Sequence, residues 1–182
     1  MIPRFRRSRL VFGSLALIVT LPACSAQRTS AATHPVVVPK PDLCKVLDRK
    51  TAGAALLGKV SGCEPDSGAE YYAVRFTATS VVSHKKTAAS LTVAYTARYQ
   101  AKTGVDRWAD FEQPHGSRVR LIGVGDMAVF DAKAAQSPQL VAVKKDLILT
   151  VALEMEGVAV PQDQLPDHLL GVARAALDAV PS

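Results

Sequence analysis

The strongest constraint on the fold is a series of segments in which apolar and polar residues alternate. Residues 71–79 (YYAVRFTAT) and 91–99 (LTVAYTARY) have this two-residue period and are rich in aromatic and β-branched side chains. Such a pattern is typical of β-strands that bury one face. Four shorter segments of the same kind follow, at 119–122, 127–130, 140–143 and 147–154. The polar stretches 83–87 and 144–146 can join neighbouring strands as hairpins, so we predict an antiparallel sheet.

Helical patterns lie before, between and after the predicted strands. Residues 43–58 are expected to contain a helix with Asp48 as its N-cap. Gly58 is expected to end this helix in the left-handed conformation that glycine favours. Residues 102–111 predict a short amphipathic helix, and 163–180 carry apolar residues at helical spacing. The fold class that follows is α+β: a single domain, mainly antiparallel sheet with flanking helices.

The chain begins with a segment typical of secretion signals. An arginine-rich start without acidic residues precedes an apolar stretch at residues 10–21. As a helix this stretch would span about 18 Å, well short of the roughly 30 Å hydrocarbon core of a bilayer. Leu21-Pro22-Ala23-Cys24 then resembles the lipobox of bacterial lipoproteins. The resemblance implies that residues 1–23 are removed and that Cys24 carries a lipid on the extracytoplasmic face of the cell membrane.

The segment after the predicted cleavage site is expected to be a tether. Residues 24–41 are small, polar and proline-rich and have no amphipathic period, which predicts a flexible connection to a folded domain at 42–182. Residues 36–38 could instead pair as an edge strand. An ordinary secreted protein cut after Ala26 is the alternative to lipidation.

Two further cysteines are left once Cys24 takes the lipid. Cys44 and Cys63 would form a disulfide in an oxidising compartment. A structural metal site needs about four ligands at close spacing. Two cysteines nearly twenty residues apart, with no neighbouring histidine, do not supply them, so we expect a disulfide and no metal.

Charge and motifs argue against nucleic acid and against a dinucleotide cofactor. The formal net charge is +6, but removal of the four leader arginines leaves 18 basic and 16 acidic residues, or +2. No basic cluster suited to phosphates then remains. Residues 123–128 (GVGDMA) have the spacing of a dinucleotide fingerprint, which requires a helix after the glycines. Because residues 127–130 predict a strand, we expect a turn here and no cofactor.

The sequence offers no evident catalytic constellation. The candidate side chains are His34, His84, His115, His168, Asp106, Asp110, Glu112, Glu154 and Glu156. The histidines fall in the tether, in predicted loops or near the start of the last helix, and no nucleophile elbow accompanies them. Carboxylates three or four residues apart are common on solvated helix faces. We therefore predict no catalytic residue.

Aromatic residues are concentrated in the middle of the chain, where they could fill the core or line a groove between sheet and helix. They are Tyr71, Tyr72, Phe76, Tyr95, Tyr99, Trp108 and Phe111. Alternation along a strand points half of such residues inward, so the core is the preferred location.

Short motifs across the mature chain resemble small lipoproteins of unknown function from high-GC Gram-positive bacteria. The motifs are Cys44 to Leu47, Gly58, Cys63 and Gly123 to Ala128. This family implies no enzymatic activity. We therefore predict a lipid-anchored, non-catalytic binding or interaction module, with an envelope protein or an apolar molecule as its partner and no nucleic acid. The alternatives are a carrier that holds a hydrophobic ligand in an internal cavity, and an envelope hydrolase.

Overall fold

The computed structural model describes residues 37–181, apart from 83, 101–102, 113–117, 133–136 and 158–164. Across these residues the chain forms four α-helices and seven β-strands. The helices are α1 (Leu43–Val46), α2 (Arg49–Leu56), α3 (Ala109–Glu112) and α4 (Leu165–Asp178). The strands are β1 (Gly58–Ser67), β2 (Tyr71–Val82), β3 (Lys85–Ala97), β4 (Arg118–Leu121), β5 (Met127–Asp131), β6 (Gln139–Lys144) and β7 (Leu147–Met155).

The strands form one antiparallel sheet in the order β1-β2-β3-β7-β6-β5-β4. Two meanders, β1 to β3 and β4 to β7, meet where β3 pairs with β7. Along this seam Ala89 lies opposite Met155 and Ala97 opposite Leu147. The α+β class and the antiparallel sheet predicted from alternation are confirmed.

Helices α1, α2 and α4 cover one face of the sheet. The inward positions of the central strands alternate as predicted and are almost inaccessible to solvent: Tyr72, Val74, Phe76, Leu91, Val93, Tyr95, Leu149, Val151 and Leu153. Tyr95 donates a hydrogen bond of 2.5 Å from its hydroxyl to the carbonyl oxygen of Ala176 in α4. Burial raises the pKa of Tyr95 well above its usual value, because the phenolate would lose its hydration.

The predicted start of α2 is confirmed and its predicted end is wrong. The Asp48 carboxylate accepts a hydrogen bond of 2.6 Å from the backbone N–H of Thr51, as an N-cap should. Leu57, at φ 51°, and not Gly58, takes the left-handed position after the helix. Gly58 is the first residue of β1, and a Cβ there would lie 2.6 Å from the carbonyl oxygen of Thr79. A glycine stands at this position because β2 approaches closely.

Three elements differ from the sequence expectation. Residues 58–67, where the sequence pattern predicted no strand, form the edge strand β1. The helix predicted at 102–111 is only the single turn α3. Before the predicted domain start at Asp42, Val38 is only 5% exposed and belongs to the core, so the packed body already includes it.

Candidate functional site

The described residues cover one half of the sheet face opposite the helices. Residues 98–100 and 103–112, which lie between β3 and β4, provide this cover, and we call them the strap. Trp108 in the strap is 1% exposed and packs on the outward side chains of β5, β6 and β7. This second cluster consists of Trp108, Val129, Val141, Val143 and Ile148, with Phe111 and Met127 at its border.

Ion pairs stabilise the strap. Arg98, its first residue, binds Asp106 through two nitrogens, at 3.0 Å from Nε to Oδ1 and 2.6 Å from Nη2 to Oδ2. This hydrogen-bonded pair lowers the pKa of Asp106 and raises that of Arg98. Arg107 donates to Glu70 at 2.7 Å and to the carbonyl oxygen of Ala97 at 3.0 Å. Arg107 therefore ties the strap to β3 and to the β1–β2 connection immediately before Trp108.

The other half of this face, on β1, β2, β3 and the nearer part of β7, has no covering element among the described residues. Small side chains form its surface: Ala73, Thr77, Thr79, Ala88, Ser90, Thr92, Ala94, Thr150 and Ala152. We call these positions the open half. Strand register places Glu64 opposite Arg75 at its outer border.

A depression of about 350 Å³ lies at one end of the open half. Its polar lining is Arg75, Thr77, Ser90, Ser137, Glu154 and Glu156, and its apolar lining is Ala78, Ala88, Ala89 and Met155. Pockets that bind small molecules usually begin at about this volume. We take it as the candidate functional site.

A short polar chain runs across this depression. Arg75 Nη2 donates to the Ser90 hydroxyl at 3.1 Å, and that hydroxyl donates to Glu154 Oε2 at 3.3 Å. The direct separation of Arg75 Nη2 and Glu154 Oε2 is 3.7 Å. Ser90 is 7% exposed, whereas the two charged side chains are 58% and 61% exposed. The site therefore presents the positive charge of Arg75 and the negative charge of Glu154 to solvent, and the buried Ser90 hydroxyl connects the two side chains.

Of the predicted site residues, the structure brings together the second and third cysteines. Cys44 in α1 and Cys63 in β1 are joined by a disulfide of 2.04 Å between the sulfurs. The bridge ties the helical layer to the edge strand. Cys24 lies outside the described residues, and its lipidation stays a prediction.

The candidate catalytic side chains that are described lie in different parts of the fold. His84 is in the β2–β3 turn at φ 65°, and His168 is in α4 on the opposite layer. Asp106 is engaged by Arg98, while Glu154 belongs to the depression. His34 and His115 lie outside the described residues.

The remaining acids differ in their surroundings. Asp110 is exposed, and Glu112 accepts a hydrogen bond of 3.1 Å from the indole N–H of Trp108. Glu156 is exposed beside the depression, as expected for a water-facing carboxylate.

The glycine motif at 123–128 forms the turn that we predicted. It connects β4 to β5, and Gly123 and Gly125 have φ values of 78° and 56°. A Cβ at Gly125 would also lie 2.2 Å from the carbonyl oxygen of Val143. Both φ and close packing therefore require glycine there.

The aromatic residues divide between the two faces of the sheet. Tyr72 and Tyr95 stack in the helix-covered core at 6.3 Å between ring centroids, with Phe76 nearby in the same cluster. Trp108 and Phe111 belong to the strap. The predicted core location is therefore confirmed for most of them, but the core has two parts.

The exceptions are two tyrosines at the border of the sheet. Tyr71 is partly exposed, and its hydroxyl donates to Asp66 at 3.1 Å, which raises the pKa of Tyr71. Tyr99 is half-buried, with the Arg98 guanidinium 5.2 Å from the centre of its ring.

Sequence reasoning missed Arg75 and Ser90. The alternation of residues 71–79 already places Arg75 on the face opposite Phe76, so its outward direction could have been found. Its neighbours could not, because they depend on the register of β3 and β7.

No protein-family model, curated protein or solved structure matches the chain. Within the described ranges, no group of three or more His, Cys, Asp or Glu side chains is placed to hold a metal ion. No helix in the part of the chain that the structure describes is long and apolar enough to cross a membrane.

Proposed function

We propose that this protein is a lipid-anchored extracytoplasmic lipoprotein that acts as a non-catalytic binding module at the cell envelope. The observation that carries the binding role is the open half of the sheet with its depression of about 350 Å³. Small side chains form the outward surface of β2 and β3 there, while the strap covers the equivalent surface on β5 and β6.

The location is supported by two features of the sequence and one of the structure. The leader and the lipobox-like residues 21–24 favour an anchor at Cys24. The disulfide between Cys44 and Cys63 is typical of proteins in an oxidising compartment outside the cytoplasm.

The exposed surface of the sheet is a better candidate binding site than the space between the sheet and the helices. A carrier of hydrophobic ligands needs a cavity between the layers. The side chains that face the sheet from α4 are instead fully buried, among them Leu169, Val172, Ala173 and Ala176. This packing favours an exposed site.

The anchor is tested by replacing Cys24 with serine. We expect the wild-type protein to sediment with membranes and to incorporate a labelled fatty acid, and the Cys24→Ser variant to do neither. Membrane partitioning that is unchanged in the variant would refute the anchor.

The binding role is tested by saturation-transfer NMR of the detergent-extracted protein mixed with small molecules extracted from the cell envelope. Ala88→Arg places a long charged side chain at the depression in the open half, and Ala54→Arg on the exposed side of α2 is its matched control. We expect at least one molecule to bind the wild type and Ala54→Arg, and to be lost from Ala88→Arg. Binding that persists in Ala88→Arg, or turnover of an added envelope substrate, would contradict the proposal.

A further inference from the structure

We propose that the depression beside Ser90 binds a free α-amino acid, recognised through its adjacent ammonium and carboxylate groups. This inference rests on the proposed binding function and names the class of ligand. It is carried by the geometry of Arg75, Ser90 and Glu154.

The two charged side chains keep hydrogen-bonding capacity that the protein does not use. A guanidinium has five N–H donors, and the described part of the chain supplies Arg75 with an acceptor only at Nη2. Glu154 accepts from Ser90 at Oε2, and no described residue donates to Oε1. Arg75 can therefore still bind a carboxylate in the side-by-side arrangement that guanidinium groups favour, and Glu154 can still accept from an ammonium.

Ser90 fixes the spacing of these charges. Its buried hydroxyl bridges Arg75 and Glu154, so that Nη2 and Oε2 lie 3.7 Å apart. Standard backbone dimensions place the ammonium nitrogen of an α-amino acid about 2.7 Å from its nearer carboxylate oxygen. The separation in the protein is longer by about 1 Å, so the ligand carboxylate can face Arg75 while its ammonium faces Glu154, and the four charges alternate in sign.

The rest of the lining suits the same ligand. Ala88 gives a small apolar surface beside the charged pair, and Glu156 adds a second carboxylate to the lining. Because Arg75 and Glu154 are more than half exposed, solvent screens their charges and we expect weak binding, on the order of 1 mM. Binding should weaken further in high salt.

The first test uses saturation-transfer NMR on the detergent-extracted full chain, observing the methyl protons of added alanine. Ethylamine and propionate, which each carry one of alanine's two charged groups, are the comparison probes. We expect saturable alanine binding and at least about tenfold weaker binding of either probe, because each leaves one charge unpaired. Equal binding of ethylamine or propionate would show a simple ion site and overturn the inference.

The second test uses Arg75→Gln and Glu154→Gln. Each should weaken alanine binding at least about tenfold. Lys45→Gln is the matched control, because it removes an exposed ion pair with Asp42 on α1, away from the depression, and should leave alanine binding unchanged. Circular dichroism checks that each variant is folded, and a folded Arg75→Gln that keeps full alanine affinity would overturn the inference.

The two proposals fail in distinguishable ways. Absence of alanine binding, with a different molecule still displaced by Ala88→Arg, would refute the ligand class and leave the binding module intact. Alanine binding in a protein that does not partition to membranes would refute the anchor and leave the site intact.

Discussion

Replacing Trp108 with alanine should remove most of the second hydrophobic cluster. The indole is 1% exposed and packs on Val129, Val141, Val143 and Ile148. A buried tryptophan removes about 150–250 Å² from water, which corresponds to about 4–6 kcal/mol at about 25 cal/mol per Å². Measured tryptophan-to-alanine losses of about 3–5 kcal/mol agree with this range. We therefore expect Trp108→Ala to lower the free energy of unfolding by about 4 kcal/mol.

The assay is urea denaturation followed by circular dichroism, with the melting temperature as a second measure. For a domain of this size a loss of about 4 kcal/mol should lower Tm by roughly 10 °C. Trp108→Phe keeps an aromatic side chain in the cluster and should lose clearly less, which separates the loss of packing from a general effect of substitution. Trp108 is the single tryptophan of the chain, so wild-type fluorescence also reports its burial.

A small effect of Trp108→Ala on stability would contradict the packing of the indole described above. The strap would not be packed on the sheet as described if the variant lost less than about 1 kcal/mol of unfolding free energy. This conclusion requires that the slope of the unfolding free energy against urea concentration is the same in both proteins. Wild-type fluorescence that is readily quenched by acrylamide would lead to the same conclusion.

Three further substitutions test other parts of the structure. Gly58→Ala should cost about 1–3 kcal/mol in urea denaturation, because its Cβ would collide with the backbone of β2, and a neutral result would contradict this close approach. The raised pKa of Tyr95 means that the unfolded chain ionises first, so wild-type stability should fall as pH rises above about 10. Tyr95→Phe should cost about 1–3 kcal/mol at neutral pH, because the hydrogen bond to Ala176 is lost. The variant should also lose less stability than the wild type as pH rises. An equally steep loss in the variant would contradict the assignment of the alkaline effect to Tyr95. The pKa of Asp106 is lowered by Arg98, so the stabilisation from this pair is present above the ordinary carboxyl pKa of about 3.9 and is lost as pH falls below it. Asp106→Asn should therefore cost about 1 kcal/mol at pH 7 and nearly nothing at pH 2, and an equal cost at both values would contradict the ion pair.

The elements that the sequence predicted well are those whose own side chains show which face is buried. In β2 the buried residues Tyr72, Val74 and Phe76 alternate with exposed or half-buried neighbours, and this period is visible without any partner strand. The same holds for α4, whose buried residues recur at helical spacing. In both cases local pattern and tertiary packing agree.

Strand β1 could not be predicted in this way. It has one aliphatic side chain, Val60, together with Gly58, Gly62 and Pro65, and its burial does not alternate regularly. It forms a strand because its backbone pairs with that of β2, and the register of this pairing shifts between Val60 and Gly62. Proline, glycine and bulges are tolerated on an edge strand, so its sequence resembles a loop.

The candidate site depends on information that a single segment does not hold. Arg75, Ser90 and Glu154 lie on three different strands, and they meet because Thr77 pairs with Ser90 and Ser90 with Glu154. Alternation gives the face that each residue occupies, but only the register gives its neighbours. The sequence therefore predicted the sheet without predicting its depression.

The order of strands has a consequence for how quickly the sheet assembles. Each meander joins strands that are close along the chain, whereas Ala97 and Leu147, partners across the seam, are 50 positions apart. Joining them requires closing a long loop before any contact between the meanders is gained, and such closures are slow. We expect docking of β7 on β3 to limit the folding rate, so that substitutions along this seam delay refolding more than substitutions in the outer hairpins do.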